Sequence, residues 1–158
     1  MGKLEDYEYY FDKYQKLYGD KVVIFYQIGK FHEMYGVNNE HEKVGNVEEI
    51  AQLLNIKLTR CKTSILENNR DNPLMAGFNS VSLDVNVDRL VECGYTVVVI
   101  NQTTKPNGKN PPKREVVYIK SPSTSVSMTS SRDPYLVSVY VNSQYNRSTK
   151  RNYEYFSM

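Results

Sequence analysis

The sequence predicts an α/β fold in which helices pack against a mixed β-sheet. Residues 4–17 carry apolar side chains at the spacing of an amphipathic helix. Residues 22–26 and 95–100 are nearly continuous runs of β-branched and aromatic side chains, which are typical of strands buried on both faces. Helical and strand-like segments alternate as far as residue 120, and this alternation indicates an α/β domain.

The first helix is followed by two strands separated by a glycine. Residues 21–28 are predicted to form a central strand, because their apolar side chains do not alternate with polar ones. A short second strand over residues 31–35 follows Gly29. Residues 36–46 are mostly polar and are expected to form a loop.

A second helix and a basic strand come next. Residues 47–54 are predicted to be helical, and Asn46 has the side chain of an N-cap. Residues 56–63 are predicted to form a strand. Residues 67–73 are polar throughout, so we expect a surface loop there.

The second half of the first domain repeats the alternation. We predict an apolar strand at residues 74–78, a helix at residues 83–93 and a central strand at residues 95–100. A loop rich in Gly, Pro, Asn and Lys spans residues 101–112, and residues 114–120 form the next strand.

The chain beyond these elements reads as the start of a second domain. Residues 121–133 are rich in Ser and Thr, as is common at a domain boundary. Two strands, at residues 135–141 and 153–156, are too few to bury a core and are expected to be an incomplete β-hairpin. The predicted organisation is one domain over residues 1–125, then a linker and incomplete second domain over residues 126–158.

Composition excludes several classes of protein. The formal net charge is only +2, so any binding of nucleic acid must come from local patches. Cys61 and Cys93 are too few for a disulfide scaffold and are not spaced as zinc ligands. No segment approaches the roughly 18 apolar residues of a membrane span, and the N-terminus lacks the apolar core of a signal peptide. We therefore expect an intracellular protein.

Signatures of catalysis are weak. The residues that could ligate a metal are His32, His41, Cys61 and Cys93. No two of them are paired at the short spacing of a metal site. The carboxylates that could form a metal-dependent nuclease centre are Asp84, Asp88 and Glu115. Nothing in the sequence fixes a pair of them for hydrolysis, and no glycine-rich phosphate loop occurs, so we expect neither an enzyme nor an ATP site in this segment.

Phe31 and Glu33 form an unusual pair. Residues i and i+2 of a strand share a face, so both side chains would point the same way. A phenylalanine beside a strand usually belongs to the core. Burying an unpaired carboxylate beside it would cost several kcal/mol, which favours a pair that faces solvent or a ligand.

Five segments resemble the DNA mismatch repair protein MutS family in the same order along the chain. They are residues 24–35, 50–59, 75–78, 94–102 and 114–124. The first holds a Phe-x-Glu motif after an apolar strand and a glycine, the third a Met-Ala-Gly turn, and the last an Arg-x-Val strand with a Pro-x-Thr end. The Gly-Lys-Phe form is similar to the mismatch-reading subunit of the eukaryotic heterodimer. The resemblance covers roughly residues 9–125 and continues weakly into the family's connector domain.

The resemblance implies a mismatch-binding domain. Phe31 would insert into the minor groove at a mispaired base, and Glu33 would accept a hydrogen bond from that base. Basic residues that would contact the DNA backbone are Lys30, Lys57, Arg60, Lys62, Lys105, Lys109, Lys113 and Arg114. His32 stands where the family usually has Tyr or Phe, and residues 79–82 depart from the family's Pro-containing turn.

The same resemblance implies the rest of a longer protein. Its partners would be duplex DNA with mismatches or small loops and, through C-terminal domains absent here, a second MutS-type subunit in a homo- or heterodimer. ATP and Mg²⁺ would bind only in the absent ATPase domain, and no cofactor is expected in this segment. Two alternatives remain: a metal-dependent α/β nuclease, and a protein-interaction domain of a MutS relative that has lost DNA binding.

Overall fold

The computed structural model describes residues 3–105, 111–124 and 139–157. The chain divides into two units, Met1–Val126 and Ser127–Met158. The helices of the first unit are α1 (Lys3–Tyr18), α2 (Val47–Leu54) and α3 (Leu83–Glu92), with a short 3₁₀ helix at Ser80–Ser82. Its strands are β1 (Val22–Ile28), β2 (Phe31–Asn38), β3 (Lys43–Val44), β4 (Leu58–Arg60), β5 (Leu74–Asn79), β6 (Thr96–Gln102) and β7 (Arg114–Lys120).

These strands form a mixed sheet. Its order is β4-β5-β2-β1-β6-β7, and β3 pairs with β2. β1 and β6 run parallel, whereas the other pairs are antiparallel. The predicted α/β fold is confirmed, as are the central positions of β1 and β6, whose first five residues are all buried.

Helices cover both faces of the sheet. The Tyr7 ring of α1 packs edge-on against Tyr26 of β1 and Tyr35 of β2. Gly36 points to the opposite face, where Val47 of α2 lies against it. α3 packs beside α2 and against β6. The core is therefore a sheet between α1 on one side and α2 with α3 on the other.

The predicted loop at residues 36–46 is wrong in part. β2 continues to Asn38, and β3 pairs with it, with Val37 opposite Val44. The predicted loop began at Gly36, yet this glycine lies within β2. A Cβ at Gly36 would be 2.8 Å from both the Val44 carbonyl oxygen and the Val47 side chain, so glycine is present here because two elements approach closely.

Two further local predictions need correction. Asn46 occupies the N-cap position of α2, but its side chain makes no capping hydrogen bond and instead donates to the Val22 carbonyl oxygen at 2.8 Å. The strand predicted over residues 56–63 is reduced to β4, because only its centre pairs with β5. In the following loop Asn72 is buried, and its side-chain oxygen accepts a bond from the Lys62 backbone N–H at 2.7 Å.

The described part of the second unit is one antiparallel hairpin. Its strands are β8 (Tyr140–Asn146) and β9 (Arg151–Ser157), and Tyr140 pairs with Ser157. A hairpin was predicted, but its first strand lies further along the chain, and residues 135–138 fall outside the described residues. The assignment of this segment to a connector domain remains a prediction. No helix among the described residues is long and apolar enough to cross a membrane.

Candidate nucleic-acid interface

A tight hairpin turn presents Phe31. Ile28 of β1 pairs with Phe31 of β2, which leaves Gly29 and Lys30 as a two-residue turn. Gly29 has a φ of +60°, whereas Lys30 is not among the residues with positive φ. This is the pattern of a type II′ turn, in which glycine occupies the first position because other residues are strained there.

Several strand ends meet around this turn. Phe31 pairs with Asn79 at the end of β5, and Gln102 at the end of β6 pairs with Arg114 at the start of β7. The Gln102 side-chain oxygen accepts a bond from the Gly29 N–H at 3.3 Å, which ties the turn to β6. We call this edge the hairpin end of the sheet, and its residues are Ile28, Gly29, Lys30, Phe31, Asn79, Gln102 and Arg114.

Phe31 is a surface residue. Its side chain is 48% exposed, so the structure does not place it in the core. Val81, in the 3₁₀ helix beside the turn, is 91% exposed. The Ser80 N–H donates to the Lys30 carbonyl oxygen at 2.9 Å and holds this helix against the turn. Val81 could not be predicted from the sequence, because a single valine after a strand carries no distinctive pattern.

Glu33 shares the face of Phe31 and has a defined neighbourhood. It is half-buried, and its carboxylate oxygen Oε2 accepts a hydrogen bond from the Tyr35 hydroxyl. Burial, then the hydrogen bond to Glu33, raises the pKa of Tyr35, so this hydroxyl remains a proton donor. Gly77 lies opposite Glu33 in β5, and a Cβ there would be 3.1 Å from the Glu33 Cγ.

Tyr35 and Gly77 are not among the site residues predicted from the sequence. Phe31, Glu33 and Tyr35 occupy every second position of the strand, so the sequence does place all three side chains on one face. Gly77 belongs to the Met-Ala-Gly segment, which lies within β5 and is not a turn, and its position opposite Glu33 depends on the pairing of β2 with β5.

His32 points to the other face and is buried. Its Nε2 lies 2.9 Å from Oδ1 of Asn101, and its Nδ1 lies 3.0 Å from the Ser80 hydroxyl. Because an amide oxygen only accepts, Nε2 carries the proton and Nδ1 accepts from Ser80. Burial lowers the pKa of His32, which favours this neutral form. His32 therefore links β2 to the ends of β5 and β6.

The predicted basic residues are not all in one place. Lys30 and Lys113 are exposed at or next to the hairpin end, and Lys105 is exposed three residues past β6. The Thr103 N–H donates to the Lys113 carbonyl oxygen at 2.9 Å, which holds the base of this loop together. Lys57 is exposed just before β4, at the end of that strand nearer Phe31. Lys109 lies outside the described residues.

Two of the predicted residues lie toward the opposite end of the sheet. Arg60 pairs with Leu74, the β5 residue furthest from Asn79, and Lys62 lies beyond it. The Arg60 Nε is enclosed and makes no hydrogen bond among the described residues. Because β4 runs antiparallel to β5, Lys57 lies at the end of β4 nearer Phe31, and the chain then leads Arg60 and Lys62 away from it.

Arg114 is held by intramolecular contacts. Its guanidinium lies 4.8 Å from the centre of the Tyr26 ring, and its Nε donates to the Gln27 carbonyl oxygen at 3.0 Å. Burial raises the pKa of Tyr26 to about 12, although Arg114 opposes this shift. Arg114 therefore braces β1 at the hairpin end.

The candidate metal ligands do not form a cluster in the part of the chain that the structure describes. No three His, Cys, Asp or Glu side chains in that part are arranged to hold a metal ion.

Comparison with known proteins identifies the family. Residues 7–129 match the family described as MutS domain I. The chain belongs to this family. Its mixed sheet with packed helices is consistent with the MutS domain I fold that the five sequence segments implied.

Similar proteins carry the same family name. A "Putative DNA mismatch repair protein mutS homolog" from Acanthamoeba polyphaga mimivirus is 35% identical over 151 residues, which are 92% of this chain and 13% of that protein. A "DNA mismatch repair protein MutS" from Caldanaerobacter subterraneus is 33% identical over 132 residues, 81% of this chain and 14% of that protein. A "DNA mismatch repair protein MutS" from Streptococcus pneumoniae is 34% identical over 129 residues, which are 79% of this chain and 14% of that protein. The chain spans about one seventh of the length of these MutS relatives.

The segments that resemble the MutS family are neighbours in space. Met75, Ala76, Gly77 and Phe78 pair in register with Tyr35, Met34, Glu33 and His32. The β6 strand with its terminal Gln102 lies on the other side of β1 and reaches the turn through Gly29. Segments that are far apart in sequence therefore build one structure around Phe31 and Glu33.

Proposed function

We propose that this chain recognises mispaired bases and small loops in duplex DNA, as part of DNA mismatch repair. The observation that carries the proposal is the half-exposed Phe31 at the hairpin end, with a carboxylate on the same strand face. Exposed lysines nearby favour a polyanionic partner. Membership of the MutS domain I family and the names of its relatives support the same reading.

Phe31 would act as an apolar wedge in the minor groove. Inserting a ring between base steps costs a few kcal/mol of stacking energy, and the cost is lowest where base pairing is already defective. The turn is suited to this role, because Gly29 and Gln102 hold the start of β2 while the Phe31 ring faces outward. A mismatch would thus be found through its deformability.

Glu33 would provide discrimination. A carboxylate near DNA is repelled by the phosphates, and this penalty is offset only where a displaced base donates a hydrogen bond to it. Perfect duplex offers no such donor at low cost. Glu33 would therefore weaken binding to perfect duplex more than binding to a mismatch.

The activities of a complete protein are also proposals. ATP hydrolysis with Mg²⁺ and assembly into a MutS-type dimer would belong to parts of the protein outside this segment. The segment itself would bind DNA without catalysing a reaction and without a cofactor of its own.

The test is binding of the full-length protein to a duplex with one G·T or unpaired base, compared with a perfect duplex. Phe31→Ala is expected to abolish the preference for the mismatch, because the wedge is removed. Val85→Ala removes another exposed apolar side chain, on α3, and serves as the matched control. A Phe31→Ala variant that keeps the wild-type preference would overturn the proposal, and Mg²⁺-dependent cleavage of either duplex would support a nuclease instead.

A further inference from the structure

We propose that Tyr35 is a positioning residue for Glu33: its hydroxyl fixes one carboxylate oxygen so that the other faces a mispaired base. The inference rests on the proposed function of Phe31 and Glu33. It adds a residue that determines discrimination without contacting DNA.

The position of the Tyr35 hydroxyl is fixed by the packing of its buried ring. The side chain is only 1% exposed, and its ring packs edge-on against Tyr7, with 5.5 Å between ring centres. Tyr7 is itself buried within α1, so the helix sets the position of the Tyr35 ring. The hydroxyl reaches Glu33 from two residues along the same strand face, and it donates to Oε2.

Gly77 defines the other side of the Glu33 side chain. The two residues are paired across β2 and β5. A Cβ at position 77 would lie 3.0 Å from the His32 carbonyl oxygen and 3.1 Å from the Glu33 Cγ, which is tighter than ordinary contact. The Glu33 side chain thus packs over the Gly77 backbone, where there is no side chain, and the Tyr35 hydroxyl binds its carboxylate.

This arrangement orients an acceptor. A carboxylate has two oxygens, and a donor on Oε2 leaves Oε1 able to accept a bond from a base. The protein therefore holds this acceptor in place before DNA arrives, which reduces the entropy lost on binding.

The test is Tyr35→Phe in the full-length protein, since this change removes one oxygen and keeps the buried ring. We expect the ratio of mismatch to perfect-duplex affinity to fall about tenfold, the loss typical of a hydrogen bond to a charged group. The loss should come from weaker binding of the mismatched duplex, because Glu33 still repels perfect duplex. Glu33→Ala should instead lower the ratio mainly by strengthening binding to perfect duplex.

A matched control exists on the other face of the sheet. The buried Tyr95 donates its hydroxyl to Oε1 of Glu49 in α2. Tyr95→Phe removes the same kind of bond far from Phe31 in the fold, and it should leave the affinity ratio unchanged. If Tyr35→Phe and Tyr95→Phe have equal effects on the ratio, Tyr35 has only a structural role and the inference is wrong.

Two further variants separate the possible failures. In a Glu33→Ala background, which has no side-chain acceptor for the Tyr35 hydroxyl, Tyr35→Phe should have no additional effect on the ratio, and an additive effect would overturn the inference. If Tyr35→Phe does not fold, Gly77→Ala displaces Glu33 from the other side and should lower the ratio; no change would overturn the inference. Phe31→Ala is measured in parallel, because an unchanged ratio there overturns the proposed function itself, whatever Tyr35 does.

Discussion

His32 shows how one side chain can join three segments. Its ring nitrogens form hydrogen bonds with Asn101 near the end of β6 and with Ser80 after β5, while His32 itself is the second residue of β2, next to Phe31. The imidazole lies 6.0 Å from the Phe78 ring, centre to centre, in a stacked arrangement. His32 thus combines one aromatic contact with two hydrogen bonds.

His32 should make stability depend on pH. Burial lowers its pKa below the ordinary value of 6.5, so the unfolded chain takes up a proton at a higher pH than the folded protein. The contribution of neutral His32 to the free energy of unfolding is complete above the pKa that it has in the unfolded chain. It is lost as the pH falls toward the lower pKa that it has in the folded protein. Urea unfolding at about pH 7.5 and about pH 5 should show this loss in the wild type and a smaller one in His32→Phe. His41→Gln, at the exposed histidine, is the control; equal losses in wild type and His32→Phe would contradict the prediction.

At the scale of elements, the β1–β2 hairpin determines where Phe31 is presented. A Cβ at Gly29 would meet nothing within 4 Å, so space does not require glycine there. The requirement comes from its φ of +60° alone. The adjoining Lys30 carbonyl oxygen accepts the bond from Ser80, so the turn also positions the 3₁₀ helix.

Gly29→Ala should therefore destabilise the protein through backbone strain alone. We expect a loss of roughly 1 kcal/mol, measured by chemical denaturation. Lys30→Ala changes the neighbouring turn residue without that strain, and it should stay within about 0.5 kcal/mol of the wild type. Equal stabilities of the two variants would show that the turn does not have the described conformation.

At the scale of the whole molecule, charge is distributed unevenly although the net charge is only +2. The exposed lysines at or near the hairpin end are Lys30, Lys57, Lys105 and Lys113. Lys120, at the far end of β7, forms an ion pair with Asp88 at 2.5 Å. The small net charge of the chain therefore does not exclude a group of exposed lysines at or near the hairpin end.

Removal of these lysines should weaken binding without changing selectivity. Lys57→Ala, Lys105→Ala and Lys113→Ala are each expected to lower affinity for mismatched and perfect duplex alike. Each should also reduce the slope of log affinity against log salt by about 1. Lys62→Ala and Lys120→Ala are the controls, since these residues lie away from the hairpin end. A selective loss of mismatch binding in Lys105→Ala would contradict this assignment.

The sequence determined the elements and their faces. Runs of β-branched residues placed β1 and β6 at the centre of the sheet, and the period of two placed Phe31 and Glu33 on one side of β2. These features depend on neighbouring residues, so they can be read locally. Where a close approach decided the structure, as at Gly36, local reading ended the strand too early.

Only the tertiary structure decided which residues share the site. The antiparallel direction of β4 separates Lys57 from Arg60 and Lys62, and the pairing of β2 with β5 brings Gly77 beneath Glu33. The stacking of Arg114 on Tyr26 likewise depends on two strands on either side of β6. Such contacts depend on strand order and register, which arise from packing the whole core. The sequence alone therefore predicted Phe31 and Glu33 as the candidate site, whereas the fold shows which residues contact them.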